Sequence, residues 1–401
     1  GGSGNDEMYG NAGDDVMLGN DGQDDLVGGT GRTKSDDPAS ALDGRLDGAD
    51  AITGGSGSAG ADADDYDVIL GDNATAFRTR DPGTGYWVTN TFNAAIERTI
   101  RFYDVGTVSS TPGAGTSGGD SLFGEDNDDT MYGQGGDDAM QGDAGDDDME
   151  GNAGTDTMYG NAGNDDMAGG TGRINDDPAT GTNGRLDAGD FMYGNDGCDV
   201  MAGDNALLVR TLIGGQWVKN TFNDGWQHAP RILLDQNSPD TALVSGGDLM
   251  RGGAQDDLMY GQAGNDDMDG NAGDDFMEGN SHDDLMQGSE DQDDMIGGTV
   301  DGAIWDGADT MYGGGEGDVM AGDNATIQRP LAGGLWQIDP NTLDEVRTIT
   351  LLNVQVVGGP AANPLLSGSD TMYGNDGSDR MFGQGNDDAD ADGDGLFDLW
   401  E

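Results

Sequence analysis

The sequence predicts an all-β chain, a parallel β-solenoid of nine-residue repeats interrupted by small antiparallel β insertions in three tandem super-units. Three observations predict it. Glycine recurs with aspartate on a strict nine-residue period, every methionine falls in one column of that period, and β-branched and aromatic segments break the runs at three places.

The chain opens GGSGNDEMY, GNAGDDVML, GNDGQDDLV, which is the pattern G-[G/N/Q]-x-G-x-D-x-apolar-x. The pattern returns as five units from Gly124 and five from Gly252, with shorter pairs around Asp190 and Asp199, Asp309 and Asp318, and Asp370 and Asp379. All 19 Met, from Met8 to Met381, stand at position eight, and Leu26, Ile52, Ile69 and Leu122 fill the same column elsewhere. A helix of about 3.6 residues per turn would smear such a column around its surface. A short strand followed by a tight turn keeps it on one side. The x-apolar-x piece therefore supplies a brief strand with one buried side chain, and Gly at positions one and four supplies the positive φ values and close approaches of the turn. Successive units stack their strands about 4.8 Å apart. Met is an adaptable filler, so the column reads as a packed interior.

Charge is the other strong feature of the composition. The chain holds 16 Lys and Arg against 79 Asp and Glu, a formal charge of −63, and 70 of those acids are Asp. So little positive charge argues against nucleic acid, where phosphate neutralisation supplies most of the affinity, and against docking on an anionic membrane. No apolar stretch is long enough to insert into a membrane. One cysteine, Cys198, excludes a disulfide framework and a thiolate zinc cluster. Low apolar content with this net charge is by itself the signature of disorder. The skew to Asp beside Gly needs a local reason instead. Gly1 at the start, with no start Met and no signal-like segment, suggests a processed chain or a window on a longer one.

The repeat resembles the repeats-in-toxin (RTX) family of haemolysin-type calcium-binding repeats, whose motif is GGxGxDxUx. The resemblance implies a Ca²⁺-loaded parallel β-roll, two repeats per coil, with ions between the turns of adjacent coils. It implies ligands from turn carbonyls and the position-six aspartates: Asp6, Asp15 and Asp24, then Asp129, Asp138, Asp147, Asp156 and Asp165. The third run adds Asp257, Asp266, Asp275, Asp284 and Asp293, and the short runs add Asp190, Asp199, Asp309, Asp318, Asp370 and Asp379. Position four departs from Gly at Asn127, Gln255, His282, Asp291 and Glu316, so weaker or different binding is expected there.

Charge and reach explain why the turn needs Asp. Stacked coils bring like carboxylates about one strand spacing apart, a repulsion of about 3 kcal/mol per pair at an effective dielectric of roughly 20. A hard divalent cation with six to eight oxygen ligands reverses that sign, and calcium tolerates the irregular geometry of turn carbonyls better than magnesium does. Asp is short enough to stay inside the turn. Metal binding and folding then become one process.

A longer period lies over the short one. GGTGR, DDPA and GRLD recur in order at Gly28–Asp50 and Gly169–Asp190, and degenerately at Gly297–Asp309; each copy is followed by a GDNA turn at Gly71, Gly203 or Gly322. Strand-like segments follow each GDNA and read as antiparallel meanders. The expected organisation is super-unit 1 over 1–117 (roll 1–31 and 50–73, insertion 74–117), super-unit 2 over 118–246 (roll 118–172 and 190–204, insertion 205–246), and super-unit 3 over 247–368 (roll 247–299 and 309–323, insertion 324–368), with terminal repeats over 369–401. All basic residues but Arg251 and Arg380 lie outside the nonapeptide runs. They and the recurring Trp87, Trp217 and Trp336 either pack the meander on the acidic roll or present a surface to a neighbouring subunit or a glycan.

At the C-terminus, Asp390, Asp392, Asp394, Asp398 and Glu401 occupy loop positions 1, 3, 5, 9 and 12, with Gly395 at position 6 and the Leu396 carbonyl at position 7. This matches the EF-hand loop and resembles the DxDxDG loops of dockerin-like and thrombospondin type 3 repeats, implying a further calcium clip.

Catalytic arrangements are thin. His228 lies in an insertion, His282 in a turn, no HExxH occurs, and Cys198 replaces a turn Asp or Asn. Asn73-Ala-Thr75 and Asn324-Ala-Thr326 match the glycosylation sequon, a weak motif. The expectation is a non-enzymatic, calcium-stabilised structural or adhesive protein, bacterial and extracellular or at the cell surface. It would associate with itself head to tail or laterally as a filament, sheath or S-layer-like material. The alternatives are the RTX region of a larger secreted toxin or hydrolase, and a glycan-binding adhesin module; ice binding would want regular Thr arrays, which are not seen.

Overall fold

The computed structural model describes residues 1–31, 47–55, 66–89, 95–102, 117–172, 187–214, 216–220, 223, 225–234, 245–300, 306–340, 345–352 and 369–383. Among them every regular element is a strand. The chain forms two compact units: Gly1–Phe191 with Asn205–Val218 and Trp226–Ile232, and Met192–Asp204 with Lys219–Gly225 and Leu233–Glu401.

In the first unit, strands Val16–Leu18, Ala51–Gly55, Ser121–Asp126, Ala139–Ala144 and Thr157–Ala162 follow one another in one parallel sheet. Strands Glu7–Tyr9, Asp25–Val27, Val68–Leu70, Thr130–Gly135, Asp148–Ala153 and Asp166–Ala168 make the other. Consecutive repeats alternate between the sheets, so two repeats make one coil. The second unit repeats the plan. One sheet runs through Leu249–Ala254, Asp267–Ala272, Leu285–Glu290, Thr310–Gly314 and Thr371–Asn375, and the other through Val200–Ala202, Leu258–Ala263, Phe276–Ser281, Asp294–Ile296, Val319–Ala321 and Arg380–Phe382.

The register is set by position eight. Met131 pairs with Met149 and Met149 with Met167 in one sheet, and Met140 with Met158 in the other. Met268 pairs with Met286, Met286 with Met311, and Met311 with Met372, although the last two steps cross inserted chain. Nearly all of these side chains are fully buried, and each contributes about 1.5–3 kcal/mol by leaving water. The interior reading of the Met column holds.

Two details differ from expectation. The strands reach six residues, as in Thr130–Gly135, because positions one to three of the next repeat continue the ladder. The glycine rationale also shifts. Left-handed backbone falls at positions two and four, with φ of 77° at Gln134, 76° at Asn152, 79° at Asn127 and 74° at Gln255. Position two accepts Asn and Gln because these tolerate that region better than branched residues do. The substituted position-four residues His282, Asp291 and Glu316 keep the turn conformation, with φ of 83°, 71° and 65°. Position one is glycine for want of space: a Cβ on Gly124 would lie 2.7 Å from both Asp129 Oδ2 and the Gly142 carbonyl oxygen.

Each GDNA turn leads into an antiparallel hairpin. Ala74–Arg78 pairs with Arg98–Phe102, Ala206–Arg210 with His228–Leu233, and Ala325–Gln328 with Thr348–Leu351. The hairpins pack on the outer face of a sheet. In the first unit Ala74, Ala76 and Phe102 join Val27, Val68, Leu70 and Tyr132 in a buried cluster, with the Phe102 and Tyr132 rings edge to face at 5.1 Å. In the second, Ala325 and Ile327 pack with Ile296, Val319 and Ala321.

Candidate metal centre

The position-six aspartates form continuous rows along the turns. Within a row, each aspartate after the first accepts, at Oδ1, the backbone N–H of the equivalent aspartate one coil earlier. Asp129 donates to Asp147 at 2.7 Å, Asp138 to Asp156 at 2.8 Å and Asp147 to Asp165 at 2.8 Å. Followed along the first unit, one row is Asp6, Asp24, Asp67, Asp129, Asp147 and Asp165. The other is Asp15, Asp50, Asp120, Asp138, Asp156 and Asp190. In the second unit the rows are Asp199, Asp257, Asp275, Asp293, Asp318 and Asp379, and Asp248, Asp266, Asp284, Asp309 and Asp370.

Every nonapeptide aspartate expected as a ligand therefore takes its place in a row. Asp50, Asp67, Asp120 and Asp248 stand in the same rows and were not among the expected ligands. Their signal was present: each sits two residues before an apolar position eight, namely Ile52, Ile69, Leu122 and Met250. Broken repeats beside the insertions hid it. Asp390, Asp392, Asp394, Leu396, Asp398 and Glu401 lie outside the described residues.

The second carboxylate oxygen is used differently. In Asp15, Asp24, Asp138, Asp147, Asp156, Asp257, Asp266, Asp275, Asp284 and Asp293 the Oδ2 atom is buried and accepts no hydrogen bond. It points at the position-one glycine of its own turn, beside a carbonyl of the next coil. A Cβ on Gly133 would lie 2.8 Å from the Gly151 carbonyl oxygen and closer still to Asp138 Oδ2. Each turn thus keeps an oxygen-lined recess that any side chain at position one would fill.

The electrostatics are those of a cation site. Burial, and then the neighbouring carboxylates Asp156 and Asp120, push Asp138 well above the usual carboxylate range. Burial and Asp165 do the same to Asp147. Burial pushes Asp156, Asp165, Asp266 and Asp275 up to about 7 and Asp293 to about 9. A buried anion without a compensating charge is costly, and a metal or a proton removes that cost. Among the described residues no three Asp, Glu, His or Cys side chains converge on one point. Any ion must then combine few carboxylates with backbone carbonyls, an all-oxygen set that suits Ca²⁺ and not the nitrogen and sulfur preference of Zn²⁺. When bound, the ion supplies the positive charge that the rows lack; the protein supplies the Oδ2 atoms and the turn carbonyls.

Where an insertion covers the roll, arginine supplies part of that charge. Asp25, one residue past the row, binds Arg78 Nε at 2.6 Å and Arg98 Nε at 2.8 Å. Asp166 binds Arg210 Nε at 2.7 Å and His228 Nε2 at 2.8 Å, and Asp294 binds Arg329 Nε at 2.6 Å and Arg347 Nε at 3.0 Å. The same guanidinium reaches carbonyls of two successive coils: Arg210 donates to Asp147 and Asn164, 2.8 and 3.1 Å away. Arg80 stacks over Trp87 at 3.9 Å, Arg210 over Trp217 at 4.7 Å and Arg329 over Trp336 at 4.5 Å. Of the two roles open to the basic residues, these contacts show packing on the roll for Arg78, Arg98, Arg210, Arg329 and Arg347. Cys198 is buried, and burial first and then nearby carboxylates push its thiol up to about 12, away from the thiolate form that reacts.

Comparison with known proteins agrees with this construction. No curated protein matches the chain. The family model of the RTX calcium-binding nonapeptide repeat matches residues 1–33, 114–149, 141–173, 244–277, 269–301 and 366–390. These segments hold the long runs of row aspartates and the pair Asp370 and Asp379, while Asp50, Asp67, Asp190, Asp199, Asp309 and Asp318 of the same rows lie outside them; the chain carries RTX calcium-binding nonapeptide repeats.

Proposed function

We propose that the chain is an extracellular calcium-loaded structural protein in which the position-six aspartates and turn carbonyls hold the ions. The observation that carries this reading is the set of buried Oδ2 atoms, from Asp15 and Asp24 through Asp138, Asp147 and Asp156 to Asp257, Asp266, Asp275, Asp284 and Asp293, that accept no hydrogen bond. A roll built this way is self-opposed until a cation arrives, so folding waits for calcium. High extracellular calcium would set where it folds. Stacked repeats contact only their neighbours and extend by simple repetition, which supports self-association into a surface filament, sheath or S-layer-like material, with a structural and not a catalytic role. The family match also accommodates an RTX region serving a larger secreted toxin or hydrolase, and the full-length gene decides between the two. Among the described tryptophans a glycan-binding role rests on Trp87, which is 37% exposed, and is the weaker reading.

The test is a calcium titration of the full chain, followed by chelation, with circular dichroism and light scattering recorded together. β structure should appear with calcium and vanish with chelator, and scattering should follow it. Full β structure in chelator at neutral pH would sink the calcium claim, while β structure without scattering would remove only the assembly claim.

A further inference from the structure

Three corners outside the position-six rows share one construction. In the second unit, a Cβ on Gly298 would lie 2.7 Å from Asp306 Oδ2 and 2.9 Å from Asn324 Oδ1. In the first unit, a Cβ on Gly29 would lie 2.8 Å from Asn73 Oδ1 and closer to Asp47 Oδ2, and one on Gly170 would lie 2.7 Å from Asn205 Oδ1 and closer to Asp187 Oδ2. The carboxamides are held alike. Thr299 N–H donates to Asn324 Oδ1 at 2.9 Å, Thr30 to Asn73 at 2.9 Å and Thr171 to Asn205 at 3.0 Å. That bond fixes each carboxamide oxygen at its corner, beside the carboxylate.

Asp306 is the decisive residue. It is 3% exposed, its Oδ1 accepts the Gly307 N–H at 3.0 Å, and its Oδ2 is buried and accepts nothing. The charges that act on it most are the carboxylates Asp309, Asp370 and Asp323. Asp47 likewise sits among Asp50 and Asp120, and its own Oδ2 accepts no hydrogen bond. A buried carboxylate oxygen that meets no donor and stands beside a fixed carboxamide oxygen is a repulsive arrangement that a cation resolves.

We propose that these three corners are a second class of calcium site, distinct from the position-six rows, in which the first Asp of a DxxD turn and the Asn of the GDN turn are the side-chain ligands. This rests on the calcium reading above. The donors are hard oxygens, one charged and one neutral, which favours Ca²⁺ over the softer divalent ions. The position sets a role of its own. Asn73, Asn205 and Asn324 immediately precede the hairpin strands Ala74–Arg78, Ala206–Arg210 and Ala325–Gln328. An ion at each corner would fasten the root of an insertion to the roll.

The test is native mass spectrometry of the full chain in calcium, counting bound ions in wild type and in Asp306→Ala, with circular dichroism on both and hydrogen exchange on Ala325–Gln328. The expected result is one ion fewer, unchanged β content and faster exchange in that strand. An Asp306→Ala protein that binds as many ions as wild type overturns the proposal. If Asp306→Ala fails to reach wild-type β content in calcium, Asp47→Ala, a less buried site, is counted by the same criterion. A wild type that binds no calcium would instead bring down the calcium reading itself.

Discussion

Asp147 divides its labour between two oxygens. Oδ1 accepts the Asp129 amide at 2.7 Å and ties one coil to the next, while Oδ2 faces the recess with no donor. Asp147→Asn keeps the first function and weakens the second. It should therefore act with opposite sign in the two states. Without calcium the variant is the more stable, because a repulsion of about 3 kcal/mol per neighbouring pair is relieved. With calcium it binds one ion fewer, and its folding midpoint moves to roughly tenfold higher calcium, the change that ~1.4 kcal/mol produces. Calcium titrations with and without chelator read both effects, and a variant destabilised equally in both conditions would contradict the division of roles. Much of this was legible in the sequence, because Asp and Met share one nine-residue count. Position two was not. Its left-handed backbone is masked by the fact that Gly, Asn and Gln all satisfy it, so the sequence pattern points to positions one and four instead.

At the scale of the element, the insertions are bound to the roll by charge as well as by apolar contact. Burial alone would raise Asp166, but Arg210 and His228 outweigh it and hold the carboxyl below its usual range. Arg210→Met would leave a buried carboxylate with only His228 and take one donor from each of three turn carbonyls, a loss of about 3–5 kcal/mol. In Arg210→Met/Asp166→Asn the loss should be smaller than the sum of the single changes. Thermal melts in saturating calcium measure the coupling, and strict additivity would show that the pair does not act as a unit. These pairs were not readable from the chain. Arg210 and Asp166 stand 44 residues apart, and Arg78 and Asp25 stand 53 apart, in segments of different composition. What was readable was the recurrence of Arg and Trp at equivalent places in the three insertions. Row aspartates beside the insertions were missed for a related reason: Asp67 and Asp129 stand 62 residues apart and Asp50 and Asp120 stand 70 apart, where uninterrupted neighbours such as Asp129 and Asp147 stand 18 apart, so the repeat count breaks there.

At the scale of the whole molecule, protons and calcium compete for the same oxygens. Burial pushes Asp120, Asp156, Asp165, Asp266 and Asp275 up to about 7 from 3.8. Such groups hold their protons more tightly in the roll than in the unfolded chain. In chelator, the roll should keep that stability in full below about pH 4 and lose it as the pH rises through 7. In calcium the dependence reverses, because a carboxyl must release its proton to become a ligand, so the calcium requirement rises as pH falls below 7. Circular dichroism across this range in chelator and in calcium separates the two curves; parallel curves would mean that the rows are not where the ion binds. Sodium chloride at about 1 M should not replace calcium, since screening acts through solvent and these carboxylates are buried. The formal charge of −63 is thus a property of the unloaded chain more than of the working protein.

The coil register also survives very different lengths of intervening chain. The step from one row aspartate to the next is 18 residues from Asp266 to Asp284, 25 from Asp284 to Asp309 and 61 from Asp309 to Asp370. The amide-to-carboxylate bond spans 2.8–3.0 Å in all three. A turn of this roll is therefore a socket indifferent to what is plugged into it. Foreign cargo whose ends lie close together could be spliced there, and each addition would be displayed at a fixed step of a calcium-hardened ladder.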